Sequence, residues 1–392
     1  MRAALLLLAA LALPAHADWS WSAPLTVNTA SGAKIFPHLE SANRQGIAVS
    51  GGAVGVVWED NRSGIPQCYL AVKPMRAKGF QRETRLSRRE CYEPVVLALD
   101  GGRFLAAWEE GGKVVAQAWP RGTRVELSKA EAAQVTLARG DGALYAAWAE
   151  QAGRFKRIVV ATLTEKRGVL AVQSVQPVEA TEPADEQGWP ALAVAGDGTL
   201  VVAWEDRRHR HTVPMTSHSR DGRSFAAPAR VSDMASGSAP GGLGAGTGAM
   251  RPTLARWGQR GVVAVWLDKR DFLSGYDVYA AFDGGDRRFG RNLKVQDSFG
   301  DNMAQWHALA ASDGTHLVAL WDDARDGTSD VWLSEWEGES FGEDIAVPGA
   351  HGPGAQSDPV ATFDADGALH VAWLDRDAAG VTRIRYARAV RK

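Results

Sequence analysis

Tryptophan followed two positions later by a carboxylate recurs seven times in this 392-residue chain, at Trp58/Asp60, Trp108/Glu110, Trp148/Glu150, Trp204/Asp206, Trp266/Asp268, Trp321/Asp323 and Trp373/Asp375. In four copies an arginine stands four positions past the tryptophan: Arg62, Arg208, Arg270 and Arg325. An indole N–H, an acid and a guanidinium at this spacing would make an anion clamp or a proton-transfer set if they occurred once. Seven copies point to a structural unit, because one reaction centre suffices for one molecule. The tryptophan is expected to fill the space between repeats with its N–H on a partner. The arginine is expected to pair with the acid or with the next repeat.

Other chemically apt residues are fewer. Glu93 and Asp358 are the candidate glycosidase carboxylates, one as acid and one as base or nucleophile. "RRHRHT" (207–212) holds His209 and His211, to which His218 is added, and alternating histidines on a strand suit a metal. No carboxylate or cysteine completes the set, so it reads as an exposed basic corner and no metal is assigned. "DDARDGTSD" (322–330) and "DADG" (364–367) lack a full EF-hand loop and read as Asp-Gly turns. Cys68 and Cys91 have no Cys-x-x-Cys spacing and read as a disulfide closing a loop, worth roughly 3 kcal/mol. The glycine-rich 241–248 stretch lacks the lysine and strand-to-helix setting of a phosphate loop, so it reads as a linker or lid. No cofactor is expected.

The elements that must position these residues follow one grammar. Successive tryptophans are 50, 40, 56, 62, 55 and 52 residues apart, near the length of one four-stranded propeller blade. A first apolar run, often opened by proline ("PALAVA", "PVVLAL"), leads through a tight Asp-Gly turn to a second run that ends in the tryptophan. Third and fourth runs follow the charged corner. The seventh unit stops after its third run, while "DWSWSAPLTVN" (18–28) resembles the fourth run of other units. The N-terminal strand is therefore expected to complete the last blade and close the ring. The fold class is all-β, a single seven-bladed propeller. Six blades is the alternative, because the 108 and 148 copies are degenerate. Blades are placed at about 36–91, 92–132, 133–188, 189–249, 250–305, 306–356 and 357–392 plus 18–28.

The first 17 residues combine Arg2, an apolar stretch from Ala3 to Leu13, and Ala15-His16-Ala17. This reads as a signal peptide cut after Ala17, hence a secreted or periplasmic protein. No later stretch is apolar enough for membrane insertion. Lys+Arg 44 against Asp+Glu 46 gives a net charge of -2 with no basic block, which argues against nucleic acid as a partner. A monomer is expected.

At "SRDGRSF" (219–225) the chain resembles the Asp-box hairpin of sialidase-like, BNR-repeat propellers, with Ser219, Asp221, Gly222, Ser224 and Phe225 matching a shortened form. Weaker echoes are "FDGGDRRF" (282–289) and "EWEGESF" (335–341). The resemblance implies a turn device, not a catalytic one. For catalysis it implies three substrate-binding arginines, a Tyr/Glu nucleophile pair and an Asp acid/base. The first arginine of that pattern would fall where this chain has Ile35 in "AKIFPHL" (33–39), with Lys34 the nearest cation. Lysine does not replace a bidentate guanidinium, so the catalytic carry-over fails at its first residue.

In a propeller the corners after each tryptophan and the links between blades are long and share one face, where binding tends to sit. Residues at the position before the usual first-strand proline should ring the channel mouth: Phe36, Glu93, Gln134, Trp189, Arg251, Trp306 and Asp358, with Tyr92 and His307 beside them. Aromatic faces with Arg, Glu and Asp suit a sugar or peptide. The expected ligand-binding set is Tyr92, Glu93, Trp189, Arg251, Trp306, His307 and Asp358. The function expected is non-catalytic binding of a glycan or protein ligand. The alternatives are a glycoside hydrolase of diverged exo-α-sialidase type and a structural or assembly scaffold.

Overall fold

The computed structural model describes residues 19–209, 211–233, 248–270 and 275–392. The signal peptide and its cut, Asp18 and the 241–247 part of the glycine-rich stretch lie outside the described residues. The chain forms seven antiparallel sheets, six of them built from consecutive strands paired in sequence order and the seventh from the last three strands plus the N-terminal ones. The first strands are Ile47–Ser50, Cys91–Ala98, Ala132–Gly140, Gln187–Val194, Ala249–Trp257, Trp306–Ser312 and Ala355–Phe363. Each packs against the first strand of the next blade, and blade 7 packs back onto blade 1. This is a seven-bladed β-propeller with the first strands lining its axis.

Ring closure follows the sequence expectation. Trp19–Trp21 and Leu25–Thr26 both pair with the last strand, Thr382–Arg391. Trp19 registers with Arg391 and Leu25 with Tyr386, and Asn28 Oδ1 accepts the Ile384 N–H at 2.8 Å. An otherwise open edge of blade 7 is covered by the start of the chain.

All seven repeat tryptophans are fully buried. Six donate Nε1–H to the acid two positions on, at 2.8 to 3.1 Å. The arginine clips this unit to its own blade: Arg325 binds Asp323 at 2.6 Å and Asp344 at 2.7 Å, and its guanidinium lies 4.1 Å from the Trp332 ring centroid. Arg62, over Tyr69, repeats this arrangement, while Arg270, over Tyr279, binds its own Asp268 and also reaches Asp233 of the preceding blade at 2.9 Å. The repeated motif is thus a packed, hydrogen-bonded building block. A disulfide joins Cys68 and Cys91 with Cα atoms 5.7 Å apart. Cys91 opens the first strand of blade 2, so the bridge ties the third strand of blade 1 to the neighbouring blade.

Blade 1 departs from the sequence expectation. Its first strand begins at Ile47, not beside Pro37. Between them, residues 39–46 run into the central channel through a single 3-10 turn at Ala42–Arg44. The Asn43 amide accepts from Leu254 N–H at 2.8 Å and donates to Leu192 C=O at 3.2 Å. Gln45 binds both backbone groups of Leu137, at 2.6 and 2.8 Å, and its own carbonyl accepts from Val96 N–H. Arg44 Nε donates to Pro359 C=O at 3.0 Å. One short segment thereby supplies partners to the inner strands of blades 2, 3, 4, 5 and 7. Channel-facing backbone groups need such partners or water.

Candidate functional site at the channel mouth

The first strands of blades 2 to 7 carry the same irregularity. Each shifts register around one position: Glu93, Gln134, Trp189, Arg251, His307 or Asp358. These residues have φ between 49° and 62°, a left-handed conformation that costs a non-glycine residue about 1 kcal/mol. A bulge re-aims its side chain, here toward the mouth. Four of the bulged amides are held from the preceding blade by the acid just after the repeat tryptophan. Glu59 accepts from Glu93 N–H at 2.7 Å, Glu109 from Gln134 at 2.5 Å, Glu205 from Arg251 at 2.7 Å and Asp322 from Asp358 at 3.0 Å. In blade 3 that position is Ala149, and Gln134 Oε1 takes over by accepting from Trp189 N–H at 2.8 Å. A Cβ at Gly188 would sit 2.9 Å from that oxygen, so a larger residue there would displace the Gln134 amide.

The sequence therefore located the ring in blades 2 to 7, with one shift and one miss. In blade 6 the bulged residue is His307; Trp306 stands one position earlier, 41% exposed and against Tyr276. Phe36 lies outside the first strand of blade 1, and Asn43 and Arg44, both at positive φ, occupy the corresponding place. Tyr92 is exposed beside the ring with its hydroxyl on Glu90. His209 and His211 are not part of this mouth. Glu40, Arg44 and Asp322 were not singled out in the sequence. The signal for the first two is the ten-residue delay between Pro37 and the apolar run at Ile47, where other units place proline at the strand itself.

Glu40, Arg44, Trp189, Arg251, Trp306 and His307 line a pocket of about 210 Å³ at this mouth. The Arg251 guanidinium carbon lies 3.1 Å from the Trp189 ring centroid, and Nη2 is 3.4 Å from Glu40. Its Nη1 is buried with no hydrogen-bond partner among the described residues. His307 Nδ1 lies 2.7 Å from Asp322, while Nε2 faces Asp358 at 3.4 Å and Glu40 at 3.9 Å. Arg44 reaches Asp358 at 3.4 Å. Burial pulls the His307 imidazole down, but Asp322 and Asp358 outweigh it and its pKa is raised. Burial pushes the Asp358 carboxyl up, yet His307 and Arg44 hold it below the usual range. Burial drives Glu93 well above the ordinary carboxylate range, with Glu109 and Glu40 adding to it. Burial thus favours the neutral form of Glu93, whereas His307 and Arg44 favour the ionised form of Asp358.

Donor atoms of Glu40, His307 and Asp358 lie within 4.8 Å of one another, the spacing of a cation site. Arg251 and Arg44 already compensate both carboxylates.

The strand order defines the class of fold: a seven-bladed β-propeller. The chain is similar to the polysaccharide lyase described as a PL25 ulvan lyase, at 12% identity over 92% of this chain and 95% of that one, with a TM-score of 0.60. It is similar to a protein of unknown function from Dyadobacter fermentans, at 12% identity, 95% and 99% coverage and a TM-score of 0.57. It also resembles the Trypanosoma rangeli sialidase, at 10% identity over 78% of this chain and 56% of that one, with a TM-score of 0.50. At such identities the likeness is one of fold, and it includes the sialidase-like architecture anticipated from the Asp-box turn. In that turn Asp221 accepts from Arg223 and Ser224 N–H, both at 2.8 Å, and Ser219 accepts from Gly222. No family model and no curated protein matches the sequence.

Proposed function

We propose that the protein binds a carbohydrate in the mouth pocket, on the long-loop face, as an exported monomer. The observation that carries this is the Trp189–Arg251 pair: an indole wall covered by a guanidinium whose Nη1–H is buried and unpartnered beside a cavity sized for one sugar ring. Exposed aromatic faces stack on the apolar side of a sugar, and a free donor takes a ring substituent or carboxylate. The carbohydrate-active proteins that share the fold support the ligand class, and the disulfide and the apolar leader support export. A glycan array probed with the full chain, followed by calorimetry on the best hit, tests it. Arg251→Gln and Trp189→Ala should each weaken that hit at least tenfold, about 1.4 kcal/mol, with Tm unchanged. No array binding, or binding indifferent to both variants, overturns it.

A second reading, a glycoside hydrolase, is favoured by the opposite directions in which the two carboxyls are pushed: burial raises the pKa of Glu93, while His307 and Arg44 lower that of Asp358, the division expected of an acid and its partner carboxylate. Turnover of a chromogenic glycoside that disappears in Glu93→Gln would establish it over simple binding.

A further inference from the structure

On the opposite face, where the short hairpin turns lie, blades 2 and 3 meet at a second hollow of about 390 Å³. Its wall carries Arg103, Arg121 and Arg167 beside Trp119, and no carboxylate lines it. A smaller hollow shares Arg103 and adds Arg139, Lys166, Asp100 and Glu165. Across both, five cations face two acids, a local surplus of three positive charges on a chain whose net charge is -2. Both acids are engaged: Arg139 binds Asp100 at 2.8 Å, and Arg103 binds Glu165 at 2.7 Å. Arg121 and Arg167 are exposed and, among the described residues, have no ion-pair partner.

Arg167 is placed at a conformational cost. The hairpin joining Lys166 to Val169 is a two-residue turn with Arg167 at φ 54° and Gly168 at φ 87°. The first position of such a turn favours Asn, Asp or Gly, which tolerate positive φ. The side chain, not the turn, is what an arginine adds there. Its neighbour Gly168 accepts from Thr123 N–H at 3.0 Å, so the turn of blade 3 is fastened to the turn of blade 2 that bears Arg121.

We infer that this hollow is a second binding site, taking a sulfated or carboxylated sugar unit of an acidic polysaccharide. Guanidinium groups recognise planar and tetrahedral oxyanions by paired N–H donors, and the Trp119 ring gives a sugar a face to rest on. A site of one sign in an otherwise acidic molecule also draws a polyanion toward that face. The inference is independent of the mouth pocket, since no residue is shared.

Dextran sulfate and uncharged dextran, each titrated against the full chain at low and high salt, test it. The expected result is binding of dextran sulfate only, weakening as salt rises. The double variant Arg121→Gln/Arg167→Asn should lose at least tenfold in affinity. Its Tm should be unchanged or higher, because Asn-Gly suits the turn better. Arg251→Gln, at the other face, should bind dextran sulfate like the wild type. Less than a twofold loss in the double variant, or equal binding of uncharged dextran, overturns the assignment. Capture by phosphatidylserine vesicles without dextran sulfate binding also overturns it.

Discussion

At the scale of the residue, the two acids that follow a repeat tryptophan in copies such as Trp58-Glu59-Asp60 do different jobs. Side chains alternate along a strand, so in "WED" the second acid lies on the tryptophan's side and takes its N–H, while the first turns toward the neighbouring blade and takes a bulged amide. The second job is performed out of water. The Glu59 carboxyl is raised to about 7, chiefly by burial, with the Glu93 N–H pulling it down and Glu109, Asp60 and Glu40 adding to the rise. Between its ordinary value of 4.5 and 7, the folded chain retains a proton that the unfolded chain has released. The stability this site contributes is therefore full below pH 4.5 and is lost as pH rises through 7. Glu59→Gln keeps an oxygen for the Glu93 N–H and removes the titration. Its stability relative to wild type should climb between pH 5 and pH 8, by at most about 3 kcal/mol, as read from urea unfolding at both pH values. A difference that does not change with pH would mean Glu59 is solvated in the folded protein.

At the scale of the element, the segment through Asn43, Arg44 and Gln45 acts as a hub and not as part of a blade. Gln45 alone satisfies Leu137 N–H and C=O and the Thr136 hydroxyl in the channel wall. Gln45→Ala leaves those groups unpaired and should cost about 2 to 3 kcal/mol, measured by denaturant unfolding. A loss below 0.5 kcal/mol would show that water replaces the amide without penalty. This hub was illegible in the sequence for a physical reason. Strands and hairpins announce themselves through local periodicity and turn residues, as "LVVAW" and "GDGT" do, whereas Asn43 and Gln45 are defined by side-chain partners 91 to 211 residues away. The same limit explains the shift from Trp306 to His307. Four of the bulges precede a proline, at Pro94, Pro190, Pro252 and Pro359, but Ala308 follows His307 and gives no marker. Repeat tryptophans, tight turns and the Cys68–Cys91 pair were legible because repetition or compositional rarity marks them.

At the scale of the whole molecule, the wheel exists only if its ends meet. Each blade presents an apolar face to the next, so six blades and an unfinished seventh would leave the last strand's backbone groups open to water or to another chain. Here residues 19–28 occupy that edge and reach beyond it. Trp19 packs in the same apolar cluster as Leu309, Leu320 and Val347 of blade 6 as well as Leu369 and Trp373 of blade 7. Asn28 fixes the far end on Ile384. The N-terminal strand thus seals the seam between two blades in addition to completing one sheet. Because the bulged residues of all blades converge on one mouth, loosening the seam should spread the pocket formed by blades 1, 4, 5 and 6. A chain lacking residues 19–28 should unfold at least about 5 °C lower and lose its single cooperative transition. A synthetic peptide of those ten residues, added in excess, should restore both by binding the folded state alone. If the shortened chain melts like the parent, or the peptide has no effect, closure resides in blade packing and the terminal strand is dispensable.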